Sequence, residues 1–164
     1  MLPAKPLSEI DMYFASVLLL LLVLPAISVV ANTFLSSHAV PLIALVGKWW
    51  VFWAIGVRLF IAGIRQVAQP AFTAQAIFHV NDPGVIPIVR EVGFGNLSMG
   101  LLGLSTFLRP AWLVPAAIVG GLYYALGGVG HLINADRNTK ENIALFSDAF
   151  AALILLVFVA KSFA

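Results

Sequence analysis

LIALVGKWWVFWAIGVRLFIAGIRQV (Leu42–Val67) decides the fold. A helix over this stretch measures about 39 Å at 1.5 Å per residue, enough to cross the roughly 30 Å hydrocarbon core of a bilayer. Lys48 and the tryptophans beside it mark one end of the stretch, and Arg65 and Gln66 mark the other. Between them stands Arg58. A charge near a bilayer centre costs about 3 kcal/mol or more, so such a residue pairs, faces a cavity or serves a function.

Four further stretches read the same way. The first span is expected at about Tyr13–Ala31, the third at Ile86–Leu108, the fourth at Ala111–Ile133 and the fifth at Ile143–Ala160. The composition agrees: of 164 residues 62% are hydrophobic and 10% charged, against about 45–50% and 25% in soluble domains. The fold class is therefore an all-α integral membrane protein, one transmembrane domain of five helices. The chain has no cysteine, which removes disulfides, thiolate nucleophiles and cysteine-held zinc or iron–sulfur clusters. The net charge of +2 is spread thinly, and no basic cluster suggests nucleic acid.

The connections carry turn chemistry. Arg109-Pro110 joins the third and fourth spans, and Pro70, Asn81-Asp82-Pro83-Gly84 and Pro87 fill the break before the third. Ile77-Phe78 in that break is expected on the membrane surface. Asn134–Asn142 (NADRNTKEN) is a polar turn, with Thr139 expected as the N-cap of the fifth span. Lys5 and the Leu18–Leu22 run resemble a signal peptide, but Glu9 and Asp11 spoil its positive region. The first span is read as a retained helix, kinked at Pro25 and peripheral to the rest.

Lysines and arginines set the orientation. Lys5, Arg65, Arg90, Arg137 and Lys140 fall on one side; Lys48, Arg109 and Lys161 fall on the other. The expectation is a multi-pass protein of the cytoplasmic (inner) membrane with a cytoplasmic amino terminus and an outside carboxyl terminus. Trp49, Trp50 and Trp112 then form an aromatic belt at the outer interface.

Alternating helix direction collects Arg65, Gln66, Arg90, Glu91, His131, Asn134 and Asp148 in the inner leaflet. Arg58 lies about 10 Å deeper than Arg65, and Asn96 about 7–8 Å deeper than Glu91. Helical spacing turns several toward a shared interior. The stripes are Arg58-Ala62-Arg65-Gln69 in the second span and Ala117-Gly121-Tyr124-Gly128-His131 in the fourth. The third span carries two neighbouring stripes, Glu91-Gly95-Ser98-Leu102-Ser105 and Gly93-Asn96-Gly100-Gly103. Small residues let membrane helices approach closely. The expected ligand site is Arg58, Glu91, Asn96, Tyr124, His131 and Asp148, with Arg65, Gln66 and Asn134 at its rim. Each has a plainer reading. Arg58 forms a structural ion pair with Glu91 or Asp148, Arg65 and Arg90 are interfacial snorkels, and His131 bonds a carboxylate at a helix end.

Arginine stays protonated when partly buried and can hold a carboxylate, a phosphate or a quinone oxygen. Glu91, Asp148 and His131 can move protons. No metal is expected, because His38 and His79 lie away from the cluster and no paired histidine or Glu-x-x-His motif occurs. No nucleotide is expected, because Gly93-x-Gly95 follows no strand. A transporter is disfavoured by the lack of an inverted repeat.

The segments KWWVFWAIGVRLFIAGIRQ (Lys48–Gln66), Pro70–Ala74, REVGFGNLSMGLLGL (Arg90–Leu104), PAAIVGGLYYALGGVGHLIN (Pro115–Asn134) and the Ser147-Asp148 pair carry a resemblance. The stretch Lys48–Phe158 resembles the DoxX-like small bacterial membrane proteins, and more closely an uncharacterised bacterial family related to them. The resemblance implies a four-helix bundle of spans two to five, with the first span an added amino-terminal helix. DoxX-like relatives include subunits of a thiosulfate:quinone oxidoreductase, which implies a quinone-facing role. The family-like arginine, glutamate and histidine map to Arg58, Glu91 and His131. The lack of cysteine and of any obvious redox centre argues against redox catalysis by this chain alone.

Three functions compete. The leading one is a protein that binds a lipid-like or quinone-like molecule in the inner-leaflet pocket. The second is a quinone-linked redox or proton-coupled subunit acting with a partner. The third is an accessory subunit of a larger membrane complex. The expected partners are membrane lipids, a homo-oligomer or such a complex.

Overall fold

The computed structural model describes residues 9–36, 40–76 and 80–164, with side chains omitted at 9–11 and 76. Expectations resting on Lys5, His38, Ile77, Phe78 and His79, and on the side chains of Glu9 and Asp11, lie outside the described residues.

Five helices are long and apolar enough to cross a membrane: α1 (Met12–Leu35), α2 (Leu42–Ala68), α4 (Val85–Ser105), α5 (Pro110–Ile133) and α6 (Thr139–Ser162). A short helix, α3 (Pro70–Ala76), follows α2. The described residues hold no strand. In hydrocarbon a helix satisfies its backbone within one segment, which is why apolar runs of this length take that form.

The ends reflect local chemistry. α6 is capped one residue before Thr139. Asn138 Oδ1 accepts from Glu141 N and Glu141 Oε2 accepts from Asn138 N, both at 3.0 Å. This is the capping box written in Asn138-x-x-Glu141. α4 stops at Ser105 rather than at Leu108. The Thr106 hydroxyl bonds back to Gly103 O at 2.7 Å, and Arg109 takes φ −133° and ψ 83° ahead of Pro110.

α2 packs against every other span. Its contact with α4 is made by glycine on both sides. A Cβ on Gly100 would stand 2.5 Å from Phe60 N, and one on Gly103 would stand 2.5 Å from Gly56 N. Of the two stripes on α4, the one bearing Gly93, Asn96, Gly100 and Gly103 is therefore buried against α2. Glu91, Gly95 and Ser98 face outward, which corrects the expectation that both stripes turn inward. α5 and α6 form the other tight pair, with Gly121 against Leu155 and Leu156. Here the expected stripe holds, since Ala117, Gly121, Tyr124 and Gly128 are all buried.

α1 is not peripheral. Val17, Leu21, Pro25 and Val29 are buried, and Ser28 Oγ and Asn32 Oδ1 accept from the indoles of Trp53 (3.0 Å) and Trp49 (3.2 Å). Trp50 leaves the expected outer belt and is buried in the bundle. α1 and α2 each contain a stretch of wider π winding, at Leu19–Val23 and Val51–Leu59, and these two stretches pack together. In α1 the widening comes just before Pro25, which has no N–H to give the preceding turn. Single π turns are rare and frequent at functional sites; Arg58 stands in the longer stretch.

Candidate ligand site

Arg58 projects from the end of the π stretch of α2 toward α6. Its Nη1 lies 3.3 Å from Asp148 Oδ1, and its Nη2 donates to Ser147 Oγ at 3.3 Å. The two charged side chains keep 15% and 14% of their surface. The guanidinium carbon sits 5.3 Å from the centre of the Tyr124 ring, a cation–π distance. The Tyr124 hydroxyl donates to Ala54 O on the π stretch. Because π winding pairs carbonyls with more distant N–H groups, a buried side-chain donor here helps hold α2 in register.

Sequence reasoning placed Arg58, Tyr124 and Asp148 together, and they meet. His131 also lies within electrostatic reach of Asp148. Asn96, 3% exposed, instead donates to Gln66 Oε1 at 2.7 Å. Its own Oδ1 has no partner among the described residues, and Tyr123 lies beside it. Tyr123 also lies within electrostatic reach of Asp148 and Arg58. Glu91 is on the exposed face of α4 and makes no hydrogen bond or ion pair with Arg58. Arg65 turns outward and stacks 3.8 Å from the Phe72 ring centre. Asn134 donates to Glu141 Oε1 at 2.9 Å in the α5–α6 turn. The rim thus disperses. Arg58 stands at the end of the π stretch, and Arg65 and Gln66 lie on the regular α-helix Phe60–Ala68 beyond it.

Two contributors were missed. Ser147 was noted only as half of a motif, yet it joins Arg58 to α6. Tyr13 was read only as the start of the first span, yet it lies within reach of both Arg58 and Asp148. A tyrosine at the polar end of an apolar run is the one available signal, and it does not say which way the ring points.

Beside this cluster, α1 and α6 enclose a groove of about 420 Å³. Its walls are apolar, chiefly Phe14, Leu18, Leu22, Phe146 and Phe150. Its polar lining residues are Thr139, Asn142 and Ser147, spread over about 12 Å of α6. Ser147 is common to the groove and the ion pair. The volume falls within the roughly 300–1,000 Å³ typical of small-molecule sites. No group of three or more metal-ligating side chains occurs among the described residues.

The model of a family of unknown function, DUF6790, matches residues 13–163. The chain belongs to that family. The match takes in all five spans, so α1, with Tyr13 at its start, is part of what defines this DUF6790 protein. Curated proteins and solved structures give no match.

Proposed function

We propose that this protein binds an amphipathic molecule drawn from the membrane. The apolar chain lies between α1 and α6, and the polar end rests at Ser147 beside the Arg58–Asp148 pair. One observation carries the reading: the apolar groove meets a buried charge cluster through a single shared hydroxyl. Lipid-like and quinone-like molecules both suit it. The test is the set of small molecules that co-purifies in mild detergent, read by mass spectrometry. Leu18→Trp, which fills the groove from a position 40% exposed, is expected to lose a molecule that the parent protein and Glu91→Gln both retain. An unchanged profile in Leu18→Trp refutes the reading.

A second reading is a quinone-linked redox or proton-coupled subunit acting with a partner protein. Tyr13, Tyr123, Tyr124 and His131 gathered around Asp148 favour it. So does the likeness of Lys48–Phe158 to DoxX-like proteins. It predicts a quinone-dependent activity that Arg58→Ala abolishes. The outward face of α4 favours an accessory place in a larger complex or a homo-oligomer. Glu91 is exposed there, and a Cβ on Gly95 would meet nothing within 4 Å. The proposed setting is the bacterial inner membrane, amino terminus inside and carboxyl terminus outside.

A further inference from the structure

Two cations from different spans converge on one aromatic ring where the helices end. Arg65 is in the last turn of α2, Lys140 is the second residue of α6, and the ring is Phe72 of α3. Gln69 takes φ −135° and ψ 59°, which breaks the helix and turns α3 off the axis of α2. Thr73 and Ala74 are buried, and Phe72 is left half-buried beside the exposed Arg65. The Arg65 guanidinium carbon lies 3.8 Å from the ring centre and Lys140 Nζ lies 5.9 Å from it. The two cations are therefore no more than about 10 Å apart, roughly one screening length in 0.1 M salt.

No acid answers Arg65. Residues 60–76 contain none. Among the described residues its side chain makes no ion pair and no hydrogen bond, only the ring contact. The acids of neighbouring segments are engaged elsewhere or point outward. Asp82 Oδ1 accepts from Gly84 N at 2.8 Å, Glu141 is held by the capping box and Asn134, and Glu91 and Asp136 are exposed. A guanidinium stacked on a ring keeps its in-plane N–H groups for other partners. Phe72 thus holds the fork of Arg65 in place and leaves its donors unfilled.

We infer that this junction of α2, α3 and α6 binds the phosphate of an anionic membrane lipid. Arg65 gives paired N–H bonds to two phosphate oxygens, and Lys140 supplies a second positive charge. Phosphate is the shared chemistry, and the lipid is its source because of depth. Arg65 closes one span and Lys140 opens another, which sets both where headgroups lie, and basic pockets between membrane helices hold such headgroups. This site is separate from the groove between α1 and α6 and does not depend on it.

The experiment titrates the full chain in mild detergent with dioleoyl phosphatidylglycerol or dioleoyl phosphatidylcholine and reads bound lipid by native mass spectrometry. The first phosphatidylglycerol should bind about tenfold or more tightly than phosphatidylcholine. Arg65→Gln should abolish that preference, whereas Arg90→Gln, which removes one exposed charge from the same end, should change it by less than about twofold. Phe72→Leu keeps both charges and should weaken the preference about threefold. Leu18→Trp should leave it unchanged. Equal losses in Arg65→Gln and Arg90→Gln, or no loss in Arg65→Gln, overturn the site. Loss in Leu18→Trp alone moves the lipid to the groove and overturns it too. Displacement of the lipid by glycerol 1-phosphate at about 1 mM overturns the lipid as the source and assigns the site to a soluble phosphate ester.

Discussion

Removing one member of the Arg58–Asp148 pair should cost far more than removing both. At 3.3 Å two unit charges attract by about 5 kcal/mol at an effective dielectric near 20. Taking two ions out of water consumes several kcal/mol each, so the intact pair contributes little net stability. Losing one partner strands the other, at about 3–5 kcal/mol for a buried pair; with about one seventh of each side chain still accessible, the lower end applies. Asp148→Leu is the costlier single change, because Asp148 can take up a proton whereas arginine keeps its charge. Arg58→Met/Asp148→Leu should return to within about 1 kcal/mol of the parent, since replacing a buried pair by apolar residues of similar volume is often neutral or stabilising. The assay is reversible unfolding in mixed micelles of mild detergent and dodecyl sulfate. The tryptophans report it, with Trp50 and Trp53 in the bundle. The cycle isolates the pair's coupling. If the double variant loses as much as the two single losses summed, or if Asp148→Leu costs under about 1 kcal/mol, the buried pair described here is wrong.

The same assay checks three more outcomes. Gly100→Leu should disrupt the α2–α4 crossing by about 2 kcal/mol or more, because its Cβ would overlap the Phe60 backbone. Gly95→Ala, with open space around it, should be neutral or up to about 1 kcal/mol stabilising through helix propensity; equal effects at the two sites would refute the assigned face of α4. Glu141→Ala should cost about 1–2 kcal/mol by removing the capping box and the bond to Asn134, while Thr139→Ala should cost well under half of that. Tyr124→Phe should cost about 1 kcal/mol by leaving Ala54 O without its side-chain donor, and speeds amide exchange across Val51–Leu59 if the hydroxyl holds the π stretch.

Much of the site was legible because depth in a membrane follows from position in a span. Arg58, Tyr124 and Asp148 fall at similar depth by counting residues, with His131 about 10 Å nearer the helix end, and the stripe on α5 is regular α-helix throughout, so its spacing carried over. Glu91 failed for a different reason. α4 bears glycine on two adjacent stripes, and periodicity cannot say which one meets a neighbour. The choice went to Gly93, Gly100 and Gly103 because the α2 backbone comes close enough to exclude a Cβ there. The Asn138-x-x-Glu141 cap was readable from sequence, and only the choice between adjacent Asn138 and Thr139 went astray.

By itself the sequence determined five spans, their apolar lengths and the gathering of polar groups toward one end, since all three depend only on residue type and distance along a helix. Tertiary structure decided how far each helix is rotated about its axis and who its neighbours are. The closest backbone approach, α2 against α4, set that rotation and turned Glu91 out. Seating α1 between α2 and α6 brought Tyr13 to Arg58 and made the groove beside Ser147. A groove belongs to two helices at once, and no property of either strand of sequence contains it.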